Sequence, residues 1–74
     1  MAESKKLTIR QKAVLQFIAE CIDVTGYAPT AQEVAREFSI SLRPAQRHIE
    51  RLEVYGYIRK IPNTARGLIV LKNA

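Results

Sequence analysis

Residues 41–56 read SLRPAQRHIERLEVYG, and the periodicity of that run sets what every other segment must do. At about 100° per residue, Leu42, Ala45, Ile49 and Leu52 fall on one side of a helix expected over 42–55. Arg43, Arg47 and Arg51 recur at i, i+4 and i+8, nearly on the opposite side. Three guanidiniums in a row repel one another, at about 0.2–0.5 kcal/mol per pair on an isolated helix. Glu50 offsets part of this beside Arg47 or Arg51, yet no acidic residue interrupts the stripe. A solvated face is the ordinary explanation of such a row. An anionic partner would turn the repulsion into attraction.

The ends of this helix are written into its neighbours. Ser41 suits the N-cap, and Pro44 then falls in the first turn, where its missing N–H costs nothing. A start with Pro44 as the first helical residue is also open; it would leave Arg43 extended and swing it off the stripe. Tyr55-Gly56-Tyr57 supplies a glycine cap at the far end.

Upstream, Thr8 followed by Gln11 has capping-box spacing and opens a first helix. Ile9, Ala13, Val14, Phe17, Ile18, Cys21 and Ile22 then form its expected apolar face. Gly26 ends it, with Tyr27 packing back and Pro29 blocking continuation. Thr30 and Glu33 make a second capping box for a short helix over 31–38, with Val34, Ala35 and Phe38 inward. Ser39-Ile40-Ser41 is the turn that follows, anchored by Ile40. Beyond Gly56, residues 57–61 and 68–71 read as two strands around a connection, Pro62 to Gly67, that suits a hairpin. Because 68–71 is apolar throughout, its inward face is left open.

Seventy-four residues make one small domain over 1–74, with 1–7 flexible and 72–74 the start of a linker or a frayed end. An apolar fraction of 47% with 26% charged residues suits a folded chain and argues against disorder. A lone cysteine, Cys21, has no disulfide partner, which fits a reducing compartment. No run approaches the roughly 18–20 apolar residues of a membrane span. The start MAESKKL lacks a signal peptide's apolar core, so a cytoplasmic protein without a membrane partner is expected. Charge is uneven: five basic and five acidic residues cancel over 1–40, whereas seven basic against two acidic over 41–74 carry the whole net +5. Such asymmetry is an electrostatic footprint of nucleic-acid binding.

The element order predicts a mainly α fold with a C-terminal β-hairpin, a three-helix winged helix-turn-helix. In that arrangement the third helix enters a major groove about 12 Å wide, its N-terminal residues meeting base edges. Arg43 and Arg47 suit guanine O6/N7, Gln46 suits adenine N6/N7, and Ser41 at the helix start suits a phosphate. Arg51, two turns in, and Arg59, Lys60 and Arg66 on the hairpin suit phosphates, with a minor groove also within the hairpin's scope.

From Leu7 to Leu71 the chain resembles the LexA repressor family's N-terminal DNA-binding domain. The resemblance is carried by Leu7-Thr8-x-Arg10-Gln11, Gly26-Tyr27-x-Pro29-Thr30 and Glu33-Val34-Ala35, then by His48-Ile49-x-x-Leu52, Gly56-Tyr57-Ile58 and Arg66-Gly67-Leu68. It implies a winged helix that represses transcription, of the kind that governs the SOS response to DNA damage. The implied partner is a palindromic operator in double-stranded DNA, occupied by a homodimer that is monomeric or weakly paired when free. It also implies that Ser41, Arg43, Pro44, Gln46 and Arg47 match the family's base-contacting positions. The chain departs there: members often have Pro directly after the capping Ser, where Leu42 stands here, and some are acidic at the positions of Gln46 and Arg47. The operator sequence is therefore not carried over. Family members normally continue into a self-cleaving Ser/Lys domain, which nothing in 1–74 supplies. An excised domain is expected ahead of a small stand-alone regulator of phage or plasmid type.

His48 fits a partly buried packing residue on the flank of the third helix, and with no companion ligands it implies no metal. Cys21 fits a small core residue. Ser39, Ser41, His48 and Asp23 hold the letters of a catalytic triad without an elbow or oxyanion context, so no enzyme and no cofactor are expected. Tyr27, Tyr55 and Tyr57 fit the core edge. The main competing function is a winged helix used as a protein-interaction module. Burying the arginine stripe would then require a partner for each guanidinium. RNA ranks below both, because a helix does not fit the deep, narrow A-form major groove.

Overall fold

Both threonine caps form as their spacing predicts in the computed structural model, which describes residues 7–63 and 67–72. Gln11 N–H donates to Thr8 Oγ1 at 3.1 Å while Thr8 N–H donates to Gln11 Oε1 at 3.0 Å. The same reciprocal pair joins Glu33 N–H to Thr30 Oγ1 at 3.1 Å and Thr30 N–H to Glu33 Oε1 at 2.9 Å. These open α1, Ile9–Thr25, and α2, Ala31–Phe38. Gly26, at φ 90°, ends α1 in the left-handed region and returns its N–H to the Ile22 carbonyl.

A three-residue turn, Ile40 and its flanking caps Ser39 and Ser41, leads to α3, Leu42–Val54. The capping residue Ser39 is left-handed, at φ 55° and ψ 44°, so that Ile40 N–H reaches the Ala35 carbonyl at 3.0 Å. A side chain with a Cβ is disfavoured there. Ser39→Gly is therefore expected to stabilise the fold by about 0.5 kcal/mol, the left-handed penalty outweighing glycine's greater unfolded-state freedom. A melting temperature no higher than that of the parent would show that the turn carries no such penalty.

Two short strands complete the chain: β1, Ile58–Lys60, and β2, Leu68–Val70, antiparallel, with Ile58 opposite Val70 and Lys60 opposite Leu68. Backbone bonds extend the ladder, from Ile61 N–H to Gly67 O and from Leu71 N–H to Tyr57 O. The question left open for 68–71 is resolved by register. Leu68 and Val70 share the inward face with buried Ile58, and Ile69 pairs with Arg59 on the outer face. The fold class is thus the expected one.

Helices α2 and α3 pack most extensively, across small buried Ala35 and Ala45. The core adds Val14, Leu15 and Ile18 of α1, Val34, Ile49, Leu52 and Ile58. Phe17 and Phe38 meet edge to face, centroids 5.9 Å apart and rings at 87°, which ties α1 to α2.

Several expectations fail, each for a geometric reason. Ile9 is 88% exposed and Ala13 is exposed, while Leu15, absent from the expected face, is 2% exposed. Nine residues at 100° place Ile9 diametrically opposite Ile18, so one core cannot hold both. Leu7, at the end of the stretch expected to be flexible, is buried within the core. Leu42 is 40% exposed, because it lies in the first turn at the edge of the apolar face. Tyr27 is mostly exposed, whereas Tyr55 and Tyr57 do pack on the core. Cys21 is half-buried, near the C-terminal end of α1. The Lys72 ammonium lies 4.7 Å from the Tyr57 ring centroid. Residues 1–6 and 73–74, also assigned to the loose ends, lie outside the described residues.

Candidate nucleic-acid interface

The two possible starts of α3 differ in where Arg43 goes, and the backbone selects Ser41 as N-cap. Pro44 is then the third helical residue, and Arg43 stays helical, in register with Arg47 and Arg51. The Ser41 hydroxyl makes no capping bond. Of the two donors a capping serine usually serves, the N–H groups of the second and third helical residues, Pro44 removes the latter. Ser41 therefore keeps its hydroxyl exposed at the positive end of the helix.

With Ala45, Ile49 and Leu52 buried beneath, Arg43, Gln46, Arg47 and Arg51 all stand in solvent. No carboxylate among the described residues pairs with any of the three guanidiniums. Arg51 lies 5.9 Å from the Tyr55 ring centroid, which holds it toward the C-terminal end of α3. Arg43 and Arg47 have no such tether among the described residues. Pro44 is half-buried at the same end as Ser41.

The hairpin basics do not act as one group. Alternation along β1 puts Lys60 on the face that turns to α3, where its Nζ lies 4.0 Å from Glu53 Oε1. That exposed pair contributes at most about 1 kcal/mol and leaves the ammonium accessible. Arg59 is exposed on the other face. Arg66 lies outside the described residues. Between the start of α2, α3 and the hairpin runs a cleft of about 420 Å³, with Gln46, Glu50 and Lys60 among its lining.

One basic residue near α3 went unassigned in the sequence. Arg10, in the first turn of α1, lies 5.5 Å from the Phe38 ring centroid and close enough to His48 to act on its charge. A cation there opposes the helix dipole, and that is the sequence signal that marks it. His48 is half-buried, as expected. Burial, and then the charge of Arg10, hold its pKa below the ordinary 6.5. The unfolded chain therefore binds a proton that the folded chain resists, and stability falls as pH drops through 6.5 toward the lowered folded value. Urea midpoints taken at pH 7.5 and 5.5 should decrease for the parent and change less for His48→Gln. Equal slopes would place the imidazole in water.

A helix-turn-helix with a hairpin wing and a solvent-facing row of arginines that no carboxylate pairs among the described residues defines a winged-helix DNA-binding domain. The family model of the LexA DNA binding domain matches residues 4–67, and the chain belongs to that family. That family is one of DNA-binding domains. Similar proteins include the LexA repressor of Thermotoga neapolitana, 44% identical over 69 residues, covering 93% of this chain and 35% of that protein. The LexA repressor of Stenotrophomonas maltophilia is 49% identical over 63 residues, 84% of this chain and 30% of that one. That of Thermosipho africanus is 40% identical over 68 residues, 92% of this chain and 34% of that one. The chain thus spans about a third of the length of the curated relatives it matches.

Proposed function

We propose that the chain is the operator-reading domain of a transcriptional repressor of the LexA, SOS-response type, folded as one unit over 1–74. Helix α3 enters the major groove. Ser41, Arg43, Pro44, Gln46 and Arg47 lie against base edges and the adjoining phosphate. Arg51, Arg59, Lys60 and Arg66 neutralise backbone charge. The operator is palindromic, and two copies, monomeric or weakly paired when free, occupy its halves.

The observation that carries this reading is the exposure of Arg43 and Arg47, without a carboxylate partner among the described residues, above a fully buried Ala45 and Leu52. Side chains intended for a protein interface would lose their hydration on docking and would each need a counter-charge. Facing phosphates and guanines, they displace condensed counterions instead.

Salt titration separates the two. Neutralising Z phosphates gives a slope of log K against log salt near −0.9Z, so four or so contacts predict a slope of roughly −3 to −4. Binding to duplex DNA that hardly changes with salt would favour an apolar protein-docking role. Sedimentation of the free chain should show mostly monomer, and a dimer that persists on dilution would contradict pairing on the operator.

A further inference from the structure

Leu42 is the large apolar side chain that the fold leaves in solvent at the start of α3, 40% exposed, while the later members of its expected face are buried. It is the first helical residue, one turn before exposed Gln46 and next to exposed Arg43. No acidic residue occupies this first turn. At 100° per residue Leu42 and Gln46 differ by about 40°, so the two side chains stand one above the other on the helix surface.

We infer that Leu42 is a specificity-determining residue that reads the C5-methyl group of a thymine. This inference rests on the proposed entry of α3 into the major groove. There, among the four bases, thymine alone presents a methyl group, and an apolar side chain is its natural contact. An isobutyl group beside a guanine or cytosine edge would instead strip water from polar atoms and return no hydrogen bond. Residues i and i+4 on a helix are about 5–6 Å apart at Cβ, and bases rise about 3.4 Å along each strand. The thymine therefore lies within about two base pairs of the adenine that Gln46 reads. Gln46 supplies paired hydrogen bonds and Leu42 the adjoining apolar contact, so the two read a short A/T-containing step.

The test begins with selection of a binding sequence from a random duplex pool by the 74-residue chain at low salt. Single thymines in the selected site are then replaced by deoxyuridine, which removes only the methyl group. At one thymine within two base pairs of an adenine, the parent should bind about three- to five-fold more weakly, the worth of one buried methyl group. Leu42→Ala should bind the thymine and uracil duplexes within about twofold of each other, and 5-methylcytosine at an unrelated position should affect neither protein. The assignment is overturned if no methyl removal affects the parent. It is equally overturned if Leu42→Ala retains the parent's full methyl preference, or if no thymine stands within reach of a selected adenine. Those results leave groove entry intact, since a sequence was still enriched. Failure to enrich any sequence would remove groove reading and this inference together.

Discussion

Arg47→Ala is expected to weaken binding to the selected operator by roughly 1–3 kcal/mol, about 5- to 150-fold, while binding to a scrambled duplex falls much less. Arg47 sits at the middle of the exposed row, has no carboxylate partner among the described residues, and projects from a helix whose other side is sealed in the core. A bidentate contact to guanine depends on that fixed projection, because both N–H groups must meet O6 and N7 at once. Arg66→Ala serves as the contrast. Residue 66 is assigned to phosphate, so its loss should lower specific and non-specific affinity nearly equally and reduce the salt slope by about one. Anisotropy titrations of both variants on both duplexes read the difference. If Arg47→Ala lost as much on the scrambled duplex as on the operator, Arg47 would be a backbone contact.

The second large effect lies in the core that holds α3 in place. Leu15→Ala should destabilise the fold by about 2–5 kcal/mol, because the leucine is nearly fully buried and the vacated space is walled by other helices. A domain of this size has only about 4–11 kcal/mol in total, so much of the protein would unfold on mild warming. Ile9→Ala, six positions earlier on the same helix, should change stability by about 0.5 kcal/mol or less. Urea unfolding of the pair is a direct reading of which side of α1 faces inward. Equal losses would mean that α1 is rotated from its described position.

The behaviour of His48 belongs to the same packing. Burial, and then the charge of Arg10, disfavour the protonated imidazole, so acidification is expected to destabilise the fold. The proton adds positive charge to α3 while it weakens the scaffold that presents α3. Binding and stability are therefore expected to respond to pH in opposite directions below 6.5.

Local signals in the chain were enough to place its elements. Thr8 with Gln11 and Thr30 with Glu33 form closed hydrogen-bonded pairs within four residues, and such chemistry does not depend on what packs above it. Gly26 and Gly56 take left-handed angles for reasons equally local. The arginine row, too, was legible, since i, i+4 spacing fixes a common face on any helix. Tertiary packing decided the rest. The apolar residues of α1 wrap most of its circumference, and only the positions of α2, α3 and β1 chose Leu15 over Ile9 for the interior. Likewise, nothing in 68–71 distinguishes one side from the other until pairing with 58–60 sets the register. Lys60 and Arg59, adjacent in sequence, part to opposite faces once the strand forms, and Leu42 is left at the rim because the core ends one turn later. Where a side chain's fate depends on a neighbour within a few residues, the order of amino acids determines it. Where it depends on which distant surface arrives, only the assembled fold does.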